Sequence, residues 1–106
     1  MERLVSAYLD HLSVERGVSA HTLAAYRRDL ARYTDHLAGV GMTEPTAVTP
    51  AVVGAYASTL AEGVRAADGS ELQAPLAPAS IARAVVAVRS LHRFAVADGL
   101  TTTDPA

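Results

Sequence analysis

The chain has 106 residues, enough for one domain with a modest core, and half of them are apolar. With no Cys, a disulfide framework, a thiol nucleophile and a Cys-based zinc site are excluded. The formal net charge of −2 argues against a nonspecific basic coat for nucleic acid.

The first helix is predicted over residues 2–16. Leu4, Val5, Tyr8, Leu9 and Leu12 draw one apolar stripe along it, and Gly17 is its stop. This N-terminus is broken by charge and lacks the apolar region of a signal peptide. No apolar run anywhere approaches the ~18 residues that span a membrane, so a cytoplasmic protein without membrane partners is expected.

Ser19 is the N-cap of a second helix running to about Ala38. Leu23, Tyr26, Leu30, Tyr33 and Leu37 recur at spacings of 3, 4, 3 and 4, giving one buried face. His21, Ala25, Arg28 and Arg32 fall opposite. Glu15, Asp29 and Asp35 read as solvated charges. Thr49 and Pro50 open a third helix as N-cap and first helical residue, with Val52, Val53, Tyr56 and Leu60 inward and Gly63 as its stop.

Residues 63–76 carry a turn signal at Asp68-Gly69-Ser70. A hairpin is possible there, but the flanks lack β-branched residues, and the stretch reads as a loop. The fourth helix is predicted from Pro78 to just before Gly99, with Ala77 where a capping hydroxyl is expected. Ile81, Val85, Val88, Leu91 and Ala95 face inward, and Ala84 and His92 stand at the edge of that stripe. Residues 101–106 read as a linker.

Catalytic signatures are missing from this pattern. There is no phosphate-binding Gly loop, no supported Ser–His–Asp set and no carboxylate pair, and no two His show metal-ligand spacing. Tyr26, Tyr33 and Tyr56 read as packing residues with wet hydroxyls. His11 and His36 read as exposed. Neither a metal, a cofactor nor a small-molecule substrate is called for, and no catalytic residue is assigned.

The Arg residues are distributed unevenly. All nine basic residues are Arg, and six lie on the second and fourth helices: Arg27, Arg28, Arg32, Arg83, Arg89 and Arg93. The fourth helix has no acid of its own. Helix N-termini attract phosphate, and Arg adds a fork of donors. On these grounds DNA binding stands only a little ahead of an ordinary solvated face.

Two segments shift that balance. Y-L-D-H-L-S-V-E-R-G-V-S-A-H-T-L-A-A-Y-R-R-D-L-A-R-Y (Tyr8 to Tyr33) and S-I-A-R-A-V-V-A-V-R-S-L-H-R-F-A-V-A-D-G-L (Ser80 to Leu100), with the closing Asp104-Pro105-Ala106, resemble the N-terminal region of the Xer tyrosine recombinases. The detail is closer to their XerD branch. The resemblance implies an all-α fold: a four-helix SAM-like core-binding domain of two packed helical hairpins over residues 1–100. Residues 101–106 would then begin a linker to a C-terminal catalytic domain. It implies one jaw of a clamp on double-stranded DNA, with the second and fourth helices crossing the major groove. Thr22, Ala25 and Arg28 would face DNA from one helix, and Ser80, Arg83 and Ala87 from the other. Ser19, His21, Arg27 and Arg32 complete the candidate DNA-binding set.

By the same resemblance the chain alone is not an enzyme, and its parent breaks and rejoins DNA through a Tyr in the other domain. The implied task is chromosome dimer resolution and segregation at cell division, with a paired sister recombinase and a septal DNA translocase as partners. A phage or mobile-element integrase domain is the alternative within the family. A helical protein-interaction module that never touches DNA is the alternative outside it.

Overall fold

The computed structural model describes residues 1–101, 104 and 105. The linker expected at 102, 103 and 106 lies outside the described residues. Four α-helices account for most of the chain: α1 (Glu2–Asp10), α2 (Ala20–Gly39), α3 (Pro50–Glu62) and α4 (Pro78–Ala97). None of the described helices is long and apolar enough to cross a membrane.

The first helix is shorter in α form than predicted. At His11 it widens into a π-helical turn, His11–Glu15, in which the Arg16 N–H reaches back to the His11 carbonyl at 3.1 Å. This extra residue per turn keeps Leu12 in the core while carrying the chain toward α2. Gly17 then adopts φ 61, a left-handed conformation open to glycine, and reverses the chain.

Ser19 caps α2 as its hydroxyl type predicts: Oγ accepts from the Thr22 N–H at 3.1 Å. Thr49 does the same for α3, accepting from the Val52 N–H at 3.3 Å, with Pro50 as the first helical residue. Ala77 offers no side-chain cap to α4.

The predicted loop after α3 is instead a short antiparallel hairpin, β1 (Val64–Arg65) with β2 (Glu71–Gln73). Its turn is held by side chains rather than by strand propensity. Asp68 Oδ1 accepts from both the backbone N–H and the hydroxyl of Ser70, at 2.9 and 2.6 Å. The hydroxyl contact, with the backbone N–H beside it, lowers the Asp68 pKa. The hairpin closes on Gly63, which has φ 80; a Cβ there would lie 2.7 Å from the Gln73 carbonyl oxygen. The Leu76 N–H then bonds the Leu60 carbonyl, fastening the hairpin exit to α3.

All four helices feed one core. Leu4, Tyr8 and Leu12 enter from the first segment, and Leu30, Tyr33 and Leu37 from α2. Tyr56 and Leu60 come from α3, and Ala84, Ala87, Val88, Leu91 and Ala95 from α4. Three small residues on the α4 face let neighbouring helices approach closely. Ala84 and His92, expected at the edge, are both fully buried, because this helix has neighbours on more than one side.

Tyr33 and His92 form a polar contact inside the apolar core. Their Oη and Nε2 lie 2.7 Å apart, and the Tyr33 ring packs on Tyr56 at 5.0 Å. The predicted wet hydroxyls are therefore dry at both residues. Burial pushes Tyr33 upward and Tyr56 to about 12. His36, expected to be exposed, is half-buried with its ring 5.0 Å from Tyr56. The end of α4 is sealed by the Leu100 and Thr101 N–H groups, both bonded to the Ala95 carbonyl, and Thr101 is buried.

Leu30 is fully buried, so Leu30→Ala should cost roughly 2–4 kcal/mol through lost burial and an unfilled cavity. Urea denaturation at neutral pH measures this. A second expectation follows from His92, whose pKa burial lowers from 6.5, with a smaller opposing influence from Asp104. The unfolded chain takes up a proton that the folded imidazole resists. Stability should thus be full above pH 6.5 and decline as pH falls below it. Burial lowers His36 in the same direction. Denaturation curves between pH 5 and 8 should show this slope, and His92→Gln should flatten most of it.

Candidate nucleic-acid interface

The α2 and α4 helices pack directly on one another. Helical spacing gives each a seam stripe: Thr22, Ala25, Asp29 and Arg32 on α2, and Ser80, Arg83 and Ala87 on α4. The seam is joined by charge. Asp29 is only 1% exposed, and its Oδ2 accepts from Arg83 Nε at 2.9 Å. Its Oδ1 accepts from Arg83 Nη2 and from Arg32 Nη1, each at 3.2 Å. One buried carboxylate thus receives three charge-assisted hydrogen bonds from two guanidinium groups. Those bonds to Asp29 raise the Arg83 pKa.

Asp29 therefore corrects the expectation of a solvated charge. It stands at the flank of the α2 stripe, where α4 covers it. The composition held one clue, because α4 carries three Arg and no acid, so any partner had to come from another element. The partner's identity depends on contact across 54 residues of sequence.

Ser19, His21, Thr22, Arg27 and Arg28 are all exposed, as a DNA-facing set requires. The Ser19 and Thr22 hydroxyls are already engaged with each other at 3.0 Å, so both serve the helix cap. Arg27 and Arg28 make no hydrogen bond or ion pair among the described residues. Ala25 and Ser80 are half-buried in the seam. Arg32 and Arg83 reach solvent, with side chains 27% and 50% exposed, although both hold Asp29.

Ala87 departs from expectation. It is fully buried and cannot touch a ligand, because its α4 position points under the seam rather than out of it. Val86, half exposed one residue earlier, occupies the outer face instead, together with exposed Arg89 and Arg93. The α4 residues matched through the Xer resemblance, Ser80, Arg83 and Ala87, do not include that outer stripe.

The arrangement is a shallow cationic face rather than a catalytic pocket. Arg32 and Arg83 hold one carboxylate, Arg28 stands exposed and unpaired on α2, and the uncapped first turn of α4 adds backbone donors. Such a face suits an extended anionic partner.

Comparison with known proteins decides the family. The model of the phage integrase N-terminal SAM-like domain matches residues 5–99. The chain belongs to that family. It is 46% identical over 102 residues to the tyrosine recombinase XerD of Mycobacterium tuberculosis, covering 96% of this chain and 32% of that protein. The XerD of Mycobacterium leprae is 42% identical over 106 residues, covering 100% and 32%. That of Corynebacterium glutamicum is 41% identical over 103 residues, covering 97% and 32%. The chain thus spans about a third of the length of these relatives. No solved structure gives a significant match. The expected all-α, SAM-like class stands, with the small hairpin added.

The two classes of Arg should separate in a stability assay. Arg28→Ala removes an unpaired surface group and should change stability by less than about 0.5 kcal/mol. Arg83→Met keeps the apolar stem but strips the Asp29 carboxylate of two of its three hydrogen bonds, and should cost about 1–3 kcal/mol. Urea denaturation of the two variants beside the unmodified chain checks the difference.

Proposed function

We propose that this domain binds double-stranded DNA as the N-terminal jaw of a site-specific tyrosine recombinase. The observation that carries this reading is the α2–α4 face of a member of this family, where Arg32 and Arg83 meet at Asp29 and Arg28 stands exposed on α2. Duplex DNA presents regularly spaced phosphates, and Arg forks match them in charge and geometry. The overall charge of −2 keeps general attraction low, so the affinity comes from this one face.

The XerD name of the relatives favours a chromosomal role over a mobile-element one. On that reading the whole protein works in the cytoplasm in chromosome dimer resolution at cell division. A paired sister recombinase and a septal DNA translocase are its partners there. Strand breakage is assigned to a domain beyond residue 106. The buried Tyr33 and Tyr56 are poor nucleophiles, because burial raises the pKa of both phenols and removes them from substrate.

Fluorescence anisotropy of a labelled duplex against this chain tests the reading. Binding should be measurable at about 50 mM salt and largely lost by about 200 mM, because phosphate contacts release counterions. Arg28→Ala should weaken it at every salt concentration. No binding at low salt, or binding indifferent to salt, sinks the proposal and leaves a protein-interaction role.

A further inference from the structure

The geometry of the Asp29 cluster points to a sharper role for one residue, resting on the DNA-binding reading above. Arg83 gives Asp29 one edge of its guanidinium, the Nε and Nη2 donors. The end-on edge, Nη1 with the remaining Nη2 hydrogen, has no protein acceptor among the described residues. The side chain is half exposed, so that edge is open to a ligand. We propose that Arg83 is the domain's base-reading residue and Asp29 its positioning residue, presenting two parallel donors to the O6 and N7 acceptors of a guanine in the major groove.

Three physical features favour a base edge over a phosphate. The first is rigidity. An Arg side chain free in solvent gives up rotamer entropy when it is fixed. Arg83 has already lost part of that freedom to Asp29, so a directional contact gains more from it. The second is charge. Asp29 neutralises much of the local field, leaving a cluster of two Arg and one carboxylate with a formal charge of +1. That weakens nonspecific attraction to phosphate without removing the hydrogen-bond donors. The third is setting. Ala25 and Ser80, small and half-buried, flank the seam and let a groove edge approach, while unpaired Arg27 and Arg28 remain for the backbone. Guanine is the base whose major-groove edge offers two adjacent acceptors matching that fork.

Asp29 could not be replaced by an amide without consequence. Asn keeps the size but offers one acceptor oxygen where three donors converge. Arg83 would then be free to turn, and the donor pair would lose its fixed direction.

Selection from a pool of randomised duplexes at low salt, followed by titration of the enriched sequence, tests this. The unmodified chain should enrich G·C at one position. Replacing that guanine by 7-deazaguanine, which removes N7 and keeps every phosphate, should weaken binding at least about five-fold. In Arg83→Met, which keeps the apolar stem and loses every donor, and which is confirmed folded by its thermal transition, the ratio of affinities for the two duplexes should fall to about one. Asp29→Asn, confirmed folded by its thermal transition, should lower the ratio in the same way although Arg83 is present. Salt-dependent binding with no preferred guanine, or a ratio unchanged in folded Arg83→Met, overturns the base-reading role and leaves the DNA-binding reading intact. A ratio that survives in folded Asp29→Asn overturns the positioning role. No DNA binding at any salt overturns both readings.

Discussion

A single buried carboxylate fixes the relation of the two longest helices. Asp29 cannot sit at 1% exposure uncompensated, since an unpaired buried charge costs several kcal/mol. It is stable there only with Arg83 from α4 and Arg32 from its own helix in place. The requirement runs both ways. The carboxylate needs α4 to carry a cation at the seam, and the cations owe their positions to the carboxylate. An apolar contact at this point would hold the helices together equally well, but it would not determine where two guanidinium groups stand on the surface.

The remainder of the core contributes stability around that constraint. Leu30 and Tyr33 follow Asp29 on α2, and Ala84, Ala87 and Val88 follow Arg83 on α4. The small residues on α4 bring its backbone near α2, which shortens the reach required of Arg83. The second buried polar contact, Tyr33 with His92, lies deeper and is neutral. It leaves His92 Nδ1 without a hydrogen-bond partner, in an environment that favours the uncharged ring. The Tyr56 hydroxyl is likewise buried without a well-formed hydrogen bond, although Arg32 lies near enough to oppose part of the rise in its pKa. Charge is thus kept at the seam, where solvent can still reach the Arg side chains, and excluded from the centre.

Much of the fold was legible because its signals are local. The 3,4 spacing of Leu23, Tyr26, Leu30, Tyr33 and Leu37, the caps at Ser19 and Thr49, and Pro50 and Pro78 at helix starts all act within a few residues. The hairpin, possible in sequence but outweighed by a loop reading, rests on Asp68 and Ser70 side chains, on backbone turn bonds and on a glycine with no room for a Cβ, rather than on β-branched residues. The π turn at His11 leaves the apolar stripe intact, so periodicity does not reveal it. The candidate site was legible as a set of Arg and illegible as a cluster. Arg28 and Arg83 could be placed on helices, but only the fold distinguishes the free cation from the paired one. Ala87 shows the converse error. A position matched through a resemblance inherits no orientation, and Ala87 is buried because α4 packs against α1, α2 and α3 and so has a core face wider than one stripe.

The acidic balance of the chain then becomes intelligible on the proposed reading. A jaw that gripped any duplex strongly would hold DNA without its partner domain and without regard to sequence. Strong grip needs many unpaired cations, because each neutralised phosphate adds to affinity whatever the bases are. In this domain two of the six Arg on α2 and α4 are bound to an internal carboxylate. Their charge is partly spent inside the protein, while their donor geometry remains outside. Trading field for direction in this way lowers affinity for the average site more than for a site with matching acceptors. A net charge of −2 is therefore compatible with DNA binding, and it suits a domain whose contribution to a clamp is register rather than grip.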